Sequence, residues 1–341
     1  MKVAILYFQN INAPMRGDDT YISNLSCSLT DRGHRVKVFS IFGTPSRISL
    51  WDDRFKRTVY SASLWGKTAE LSRYDIVLFT EPLFPYSMML LRYLKLRTKA
   101  HIILYVGVPR ITNGSYFLLI KNKFPAMISG ENARPFAESI APKVGLVPPG
   151  IDTARLHPQD TNKMWDLLYI GHLYKEKGVL LLLQAMKLLK NNNSPLKLKI
   201  ICTPNVEEKF YRCYIQQNGL DNVDMERAII KDHVSVYNSA RAFVYPGISY
   251  NRVAEVPLTI MEASACGLPV VTTSMYRHIK LPNITFSEPE VKALADAIIQ
   301  ATDSWNMEKQ QQTLNMINSS YSLASLGSRA ESFFTEVIDG R

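Results

Sequence analysis

Residues Glu255–Ser274 read EVPLTIMEASACGLPVVTTS, and the fold turns on this stretch. Pro257 marks a turn. Leu258, Ile260, Met261 and Ala265 then recur at helical spacing. Gly267 predicts a C-terminal cap, because glycine takes a positive φ without strain. After Pro269 the β-branched run Val270-Val271-Thr272-Thr273 suits a buried parallel strand. Glu262 falls in the first turns of the helix, where unpaired N–H groups and the positive end of the helix dipole concentrate. Such an end offers the backbone amides of Leu258 and Thr259 to a diphosphate, and a carboxylate beside it can accept hydrogen bonds from sugar or ribose hydroxyls. An ordinary helix–strand unit with a solvated glutamate would read the same way, so the rest of the chain has to decide.

Working outward, strands and helices alternate on both sides of this stretch. Ala242–Pro246 reads as the strand before it, and His233–Tyr237 begins the helix before that. Upstream, Asp166–Gly171 is a strand ending in glycine, His172–Gly178 a loop, and Val179, Leu182, Leu183, Met186 and Leu189 one face of a helix. Leu196–Ile201 supplies a further strand pattern, and a helix follows over Glu207–Asn218. Val144–Asp152 holds two prolines and a glycine that redirect the chain, so a domain boundary is expected there, with Asp152 capping a turn. The first half opens with a strand over Lys2–Phe8, a loop over Gln9–Arg16 and a helical stripe of Tyr21, Ile22, Leu25 and Leu29. Val36–Phe39, Tyr74–Phe79 and His101–Val106 continue as strands, and Tyr86–Leu96 as a helix whose Met and Leu residues are read as core. Tyr116–Phe124 is apolar with basic flanks, a core helix or a bilayer contact. Tyr321–Ile338 closes the chain as an amphipathic helix. Strands alternating with helices predict an α/β fold with parallel sheets.

Composition narrows the class. At 341 residues and 46% hydrophobic the chain has room for two globular domains. Its 4 cysteines, Cys27, Cys202, Cys213 and Cys266, show no CxxC spacing and read as thiols of a reducing compartment. The N-terminal MKVAILYF is too short for a signal peptide, and no apolar run of about 18 residues exists to span a membrane. Charge is lopsided: residues 1–150 carry 20 Lys and Arg against 10 Asp and Glu, a net of +10, and the remainder nets zero. That excess serves solubility, an acidic acceptor or an anionic membrane surface. Nucleic acid is not expected, because no aromatic–basic RNA motif accompanies the charge. The opening strand–helix–strand lacks GxGxxG, so the dinucleotide fingerprint is absent.

Glu262-Ala263-Ser264-Ala265-Cys266-Gly267-Leu268-Pro269-Val270-Val271 resembles the donor-binding signature of GT-B glycosyltransferases of the retaining family 4 type (glycosyl transferases group 1). That signature carries two glutamates with seven residues between them. Here six separate Glu255 from Glu262, and Ala254 stands eight before Glu262. Val147 to Pro158 resembles the family's interdomain segment. Gly171-His172-Leu173 through Lys177-Gly178-Val179 resembles its Gly-Arg-Leu…Lys-Gly-Val element, with His172 in place of arginine. Gly17 matches its N-terminal loop glycine. After the His101–Val106 strand the family's acceptor histidine is missing, and Arg110 stands nearby.

The resemblance implies two Rossmann-like domains facing across a cleft: an acceptor-side domain over 1–148, a nucleotide-sugar domain over 149–320, and a helix over 321–341 crossing back to the first. It implies a retaining transfer from a UDP- or GDP-linked sugar to a glycan or lipid-linked hydroxyl acceptor, with no metal and no further cofactor. Lys177 and Glu255 would be catalytic. His172, Lys177, Glu255, Leu258, Thr259, Glu262, Ile229 and Gly17 would bind the donor, and Asp18, Asp19 and Arg110 would line the acceptor side. The unpaired cysteines suit a cytoplasmic location, and the basic first half offers the inner membrane face as a peripheral site. A catalytically degenerate binding or scaffold subunit and a nucleotide-sugar epimerase are the alternative readings on the same fold. The first would bind nucleotide without turnover, and the second would need no acceptor.

Overall fold

The apolar runs form parallel strands buried on both faces, as crossover connections through helices require. The computed structural model describes residues 1–10, 17–42, 59–61, 68–80, 85–107, 121–203, 207–230, 232–250, 253–303 and 306–340. The chain divides into two units, Met1–Gly150 with Ser322–Arg341, and Ile151–Tyr321.

The first unit runs β1 (Lys2–Asn10), α1 (Gly17–Asp31), β2 (Arg35–Phe42), β3 (Val59–Ser61), α2 (Thr68–Leu71), β4 (Ile76–Phe79), α3 (Pro85–Arg97), β5 (His101–Val106), β6 (Ala126–Ile128), α4 (Arg134–Ile140) and β7 (Val144–Leu146). Its sheet is seven-stranded in the order β3-β2-β1-β4-β5-β6-β7, parallel throughout. Successive strand residues serve opposite faces. Ala4, Leu6, Val77, Phe79 and Leu104 join one core with Leu90, Leu91 and Leu94 of α3. Val3, Ile5, Ile76, Leu78 and Ile103 join another with Tyr21, Ile22, Leu25 and Leu29 of α1.

The second unit runs β8 (Trp165–Gly171), α5 (Val179–Asn191), β9 (Leu198–Cys202), α6 (Glu208–Gln217), β10 (Val223–Arg227), α7 (His233–Asn238), β11 (Ala240–Tyr245), α8 (Leu258–Ala265), β12 (Val270–Thr273), β13 (Ile284–Ser287), α9 (Val291–Asp303) and α10 (Met307–Ser320). Six parallel strands take the order β10-β9-β8-β11-β12-β13. The last helix, α11 (Leu323–Ile338), returns to the first unit. Its Leu326, Ala330, Phe333 and Phe334 enter the core beneath α1.

Local expectations meet the structure in detail. Gly267 caps α8 with φ 75°. The Leu268 N–H reaches the Ala263 carbonyl at 3.1 Å and the Gly267 N–H the Ser264 carbonyl at 3.0 Å, the paired bonds that close a helix through a left-handed glycine. Asp152 caps its turn, Oδ1 accepting from the Arg155 N–H at 3.3 Å. All four cysteines are free thiols, Cys213 exposed and the others buried.

Two boundaries move. Gln9 and Asn10, expected in a loop, extend β1, because Asn10 pairs with Phe42 and ladder hydrogen bonding outweighs their weak strand propensity. Gly17, expected as a loop glycine, is the first residue of α1. Asp18 and Asp19 therefore lie inside its first turn, where carboxylates suit the positive end of the helix dipole. Arg110 and the apolar run 116–120 lie outside the described residues.

Candidate active site

In the second unit β8, first in sequence, sits beside β11, with β9 and β10 to one side and β12 and β13 to the other. Connections leaving β8 and β11 diverge, and the crevice at such a switch point is where open parallel sheets bind ligands. His172 and Lys177 follow β8, whereas Glu255, Leu258, Thr259 and Glu262 follow β11. All six thus lie at the carboxyl edge of neighbouring strands.

The loop after β8 is held by backbone contact. Lys175–Lys177 form one 3₁₀ turn, and Gly178 at φ 68° leads into α5. A Cβ on Gly178 would lie 1.9 Å from the Pro246 carbonyl oxygen, so only glycine fits. The Ile248 N–H donates to the Glu176 carbonyl at 2.8 Å, tying this loop to the one after β11. Lys177 Nζ sits over the Tyr245 ring, 5.2 Å from its centroid. Tyr245 stacks with Tyr169 and meets Tyr276 edge-on. Burial pushes the Tyr169 and Tyr276 phenols far above their ordinary range. His172 is oriented from three sides. Its Nδ1 is 2.5 Å from Thr203 Oγ1, its ring stacks with Tyr174, and its carbonyl accepts from the Tyr169 hydroxyl at 2.7 Å.

The start of α8 lacks a side-chain cap. Pro257 occupies the cap position, with ψ 124°, and contributes no side-chain hydrogen bond. The Ile260 and Met261 N–H groups turn back to the Pro257 carbonyl. Among the described residues the Leu258 and Thr259 N–H groups have no acceptor. A helix start without a side-chain cap is a ready anion site.

The two glutamates are both buried, by different means. Glu255 is 7% exposed. His278 Nε2 donates to its carbonyl oxygen at 3.0 Å and lies 4.0 Å from its Oε1. Tyr250 donates its hydroxyl proton to the Met275 carbonyl and lies 3.5 Å from His278 Nδ1. Glu262 is 9% exposed. Its Oε2 accepts from the Tyr237 hydroxyl at 2.7 Å and lies 3.8 Å from His233 Nδ1. Burial opposes its ionisation, but the His233 hydrogen bond and charge, the Tyr237 hydroxyl and the Arg155 charge prevail, and its carboxyl is held below the usual carboxylate value.

The remaining expected residues lie elsewhere. Ile229 follows β10, two strands from β8, and is 58% exposed. In the first unit Gly17 opens α1 and Asp19 is buried in its first turn. The Asp18 side chain and Arg110 lie outside the described residues. Four site residues go unmarked by the sequence reading: His233, Tyr237, Tyr245 and His278. His233 and Tyr237, four apart on α7, share a helix face, and that spacing was the available signal. Tyr245 ends a core strand at its carboxyl edge. Nothing in the sequence marks His278. Among the described residues no group of three or more His, Cys, Asp and Glu side chains could hold a metal ion.

Residues 154–315 match the family model described as Glycosyl transferases group 1. No curated protein matches the chain. Solved structures share its fold at low identity. A glycosyltransferase from Rickettsia africae ESF-5 superposes with a TM-score of 0.81 at 14% identity, over 100% of this chain and 99% of its own. The pneumococcal O-GlcNAc transferase GtfA, solved with UDP and GlcNAc, gives 0.75 at 11% identity, over 99% of each chain. The lipopolysaccharide outer core galactosyltransferase WaaB gives 0.68 at 15% identity, over 100% of this chain and 99% of its own. Residues 154–315 are thus a glycosyl transferases group 1 domain, and the chain is a glycosyltransferase with the GT-B fold.

Proposed function

We propose that the chain moves a sugar, with retention of anomeric configuration, from a UDP- or GDP-linked donor to a hydroxyl of a glycan, carried on lipid or polysaccharide. The observation that carries this reading is the uncapped start of α8 beside buried Glu255, in the same crevice as Lys177. The donor diphosphate lies on the Leu258 and Thr259 amides and on Lys177. These groups stabilise charge as it builds on the leaving diphosphate, where preorganised donors act most strongly. His172 contributes one further donor at that site. Glu262 holds the ribose hydroxyls and Glu255 contacts the transferred sugar. The acceptor hydroxyl attacks from the side the diphosphate leaves and passes its proton to a diphosphate oxygen, so no pair of protein carboxylates is needed. Helix amides and lysine supply the positive charge that this chemistry asks of a metal elsewhere. The structures solved with UDP or acting on lipopolysaccharide support the nucleotide and glycan classes by analogy. The basic first half suits an acceptor at an anionic membrane surface on the cytoplasmic side.

The test is a thermal-shift screen with UDP, GDP, ADP and their sugars, paired with sugar-release and transfer assays. A nucleotide at about 100 times its Kd adds about 2.7 kcal/mol of stability. One base should dominate, and Lys177→Ala should weaken the response. Stabilisation without sugar transfer to any glycan acceptor would overturn the transfer reading. No response to any nucleotide would overturn the donor site itself.

A further inference from the structure

Between Glu81 and Glu131 the sequence holds seven Lys and Arg and no carboxylate. Helix α3 runs through this stretch. Leu90, Leu91 and Leu94 are fully buried against the sheet. Met89 and Leu96 are 63% and 84% exposed. At about 100° per residue, those two share one line, seven residues apart, on the side opposite the buried leucines. Arg92 falls beside that line on one flank and Arg97 on the other, both exposed, and exposed Lys99 follows the helix end. Lys95 Nζ donates to the Lys123 carbonyl at 3.1 Å and lies over the Phe124 ring. That contact fastens the turn bearing exposed Lys121 beside the helix. The result is an apolar ridge with a cationic rim. Among the described residues no helix is long and apolar enough to cross a membrane.

We infer that this face of α3 seats the protein on an anionic lipid bilayer, with the ridge at the acyl boundary and the rim among headgroup phosphates. The inference gives the membrane partner of the function proposed above a definite surface, and rests on that reading for its purpose. An apolar stripe bordered by Lys and Arg is what an in-plane interfacial helix presents, and each cation near an anionic leaflet adds to the attraction. Charge argues against a second copy as the occupant, because it would bring the same carboxylate-free stretch against this one.

The experiment is co-sedimentation of the full chain with phosphatidylcholine vesicles, with and without about one-third phosphatidylglycerol, at low and raised salt and with no nucleotide. Wild type should pellet with the anionic vesicles, less so at raised salt, and stay in solution with the neutral ones. Arg92→Gln with Lys99→Gln should weaken binding roughly thirtyfold. Met89→Ser with Leu96→Ser should weaken it roughly tenfold or more. Both pairs are exposed, so thermal unfolding should match wild type. Equal pelleting with neutral vesicles, no pelleting, or variants that bind as wild type would overturn the inference. So would a wild-type dimer that Leu96→Ser dissociates. Nucleotide response, read on the same samples, separates the two readings. A chain that responds to nucleotide but not vesicles loses only the docking face, and one that responds to vesicles but not nucleotide loses only the transfer reading.

Discussion

His278 Nε2 lies 3.0 Å from the carbonyl oxygen of Glu255 and 4.0 Å from its Oε1, so one imidazole bonds the backbone of this glutamate and borders its carboxylate. The carbonyl can only accept, which places the proton on Nε2. The ring is held in turn by contacts with Tyr250 and Tyr276. His278 sits just beyond β12, and Glu255 stands three residues before α8. The bond therefore staples two strand-end loops together at the crevice.

A positioning role makes a specific prediction for His278→Ala. Losing a net hydrogen bond of about 1 kcal/mol frees Glu255 without touching the amides of α8. Turnover should fall roughly tenfold or more, since a misplaced group near the chemistry costs more than its contact energy. Nucleotide Kd, measured by calorimetry, should stay within about twofold of wild type. His278→Asn, which keeps a donor, should recover part of the rate. A loss of nucleotide affinity equal to the loss of rate would mean that His278 acts on the donor site as a whole.

Lys177 predicts the opposite split. Its ammonium rests on the Tyr245 ring, where cation–π attraction contributes about 0.5–1 kcal/mol. Lys177→Ala should weaken nucleoside diphosphate binding roughly tenfold or more and leave nucleoside binding unchanged. A charge-assisted contact to phosphate contributes about 1.5–3 kcal/mol. Equal losses for nucleoside and diphosphate would show that the lysine serves the loop and not the phosphates.

Gly178 tests how that lysine is delivered. Any side chain there meets the Pro246 carbonyl and a left-handed backbone together. Gly178→Ala should lower stability by roughly 1–3 kcal/mol, and nucleotide affinity should fall with it, because the loop has to withdraw from β11. A variant with wild-type melting temperature and affinity would contradict the close approach.

These positions also show what a sequence can carry. The inner strands of both sheets are legible because two-sided burial leaves continuous apolar runs, as in Ile76–Phe79 and Val270–Thr273, whereas the edge strands β3, β7, β10 and β13 go unread. The Gly267 cap is legible because a left-handed helix end selects glycine. Glu262, Lys177 and Gly178 stand out through spacing and family pattern, but the carbonyl that requires Gly178 to be glycine lies in another loop. His278 leaves no trace, because its partner is a backbone carbonyl that any residue at position 255 would provide. The first unit's acceptor side is the least legible. Its loops follow no period, and Gly17 and Asp19 turn out to belong to a helix and its buried first turn.

Glu262 gives the chain a pH dependence whose sign follows from its environment. Burial alone would raise its carboxyl, yet His233, Tyr237 and Arg155 hold it below the ordinary carboxylate value. As pH falls, the unfolded chain takes up the proton first, near the model glutamate value of about 4.3. The stabilisation is thus complete above that value and is lost as pH drops through the lower folded one. Glu262→Gln removes the titrating charge but keeps an acceptor for the Tyr237 hydroxyl. At pH 7 wild type should be the more stable. Chemical denaturation at pH 7, 5, 4 and 3.5 should show that advantage holding to about pH 5 and shrinking below about pH 4. An advantage that grew on acidification would mean that burial wins and that Glu262 is a raised, protonated acid in the folded chain. It would then reach a ribose as a hydrogen-bond donor, not as the acceptor that the proposed function assigns it.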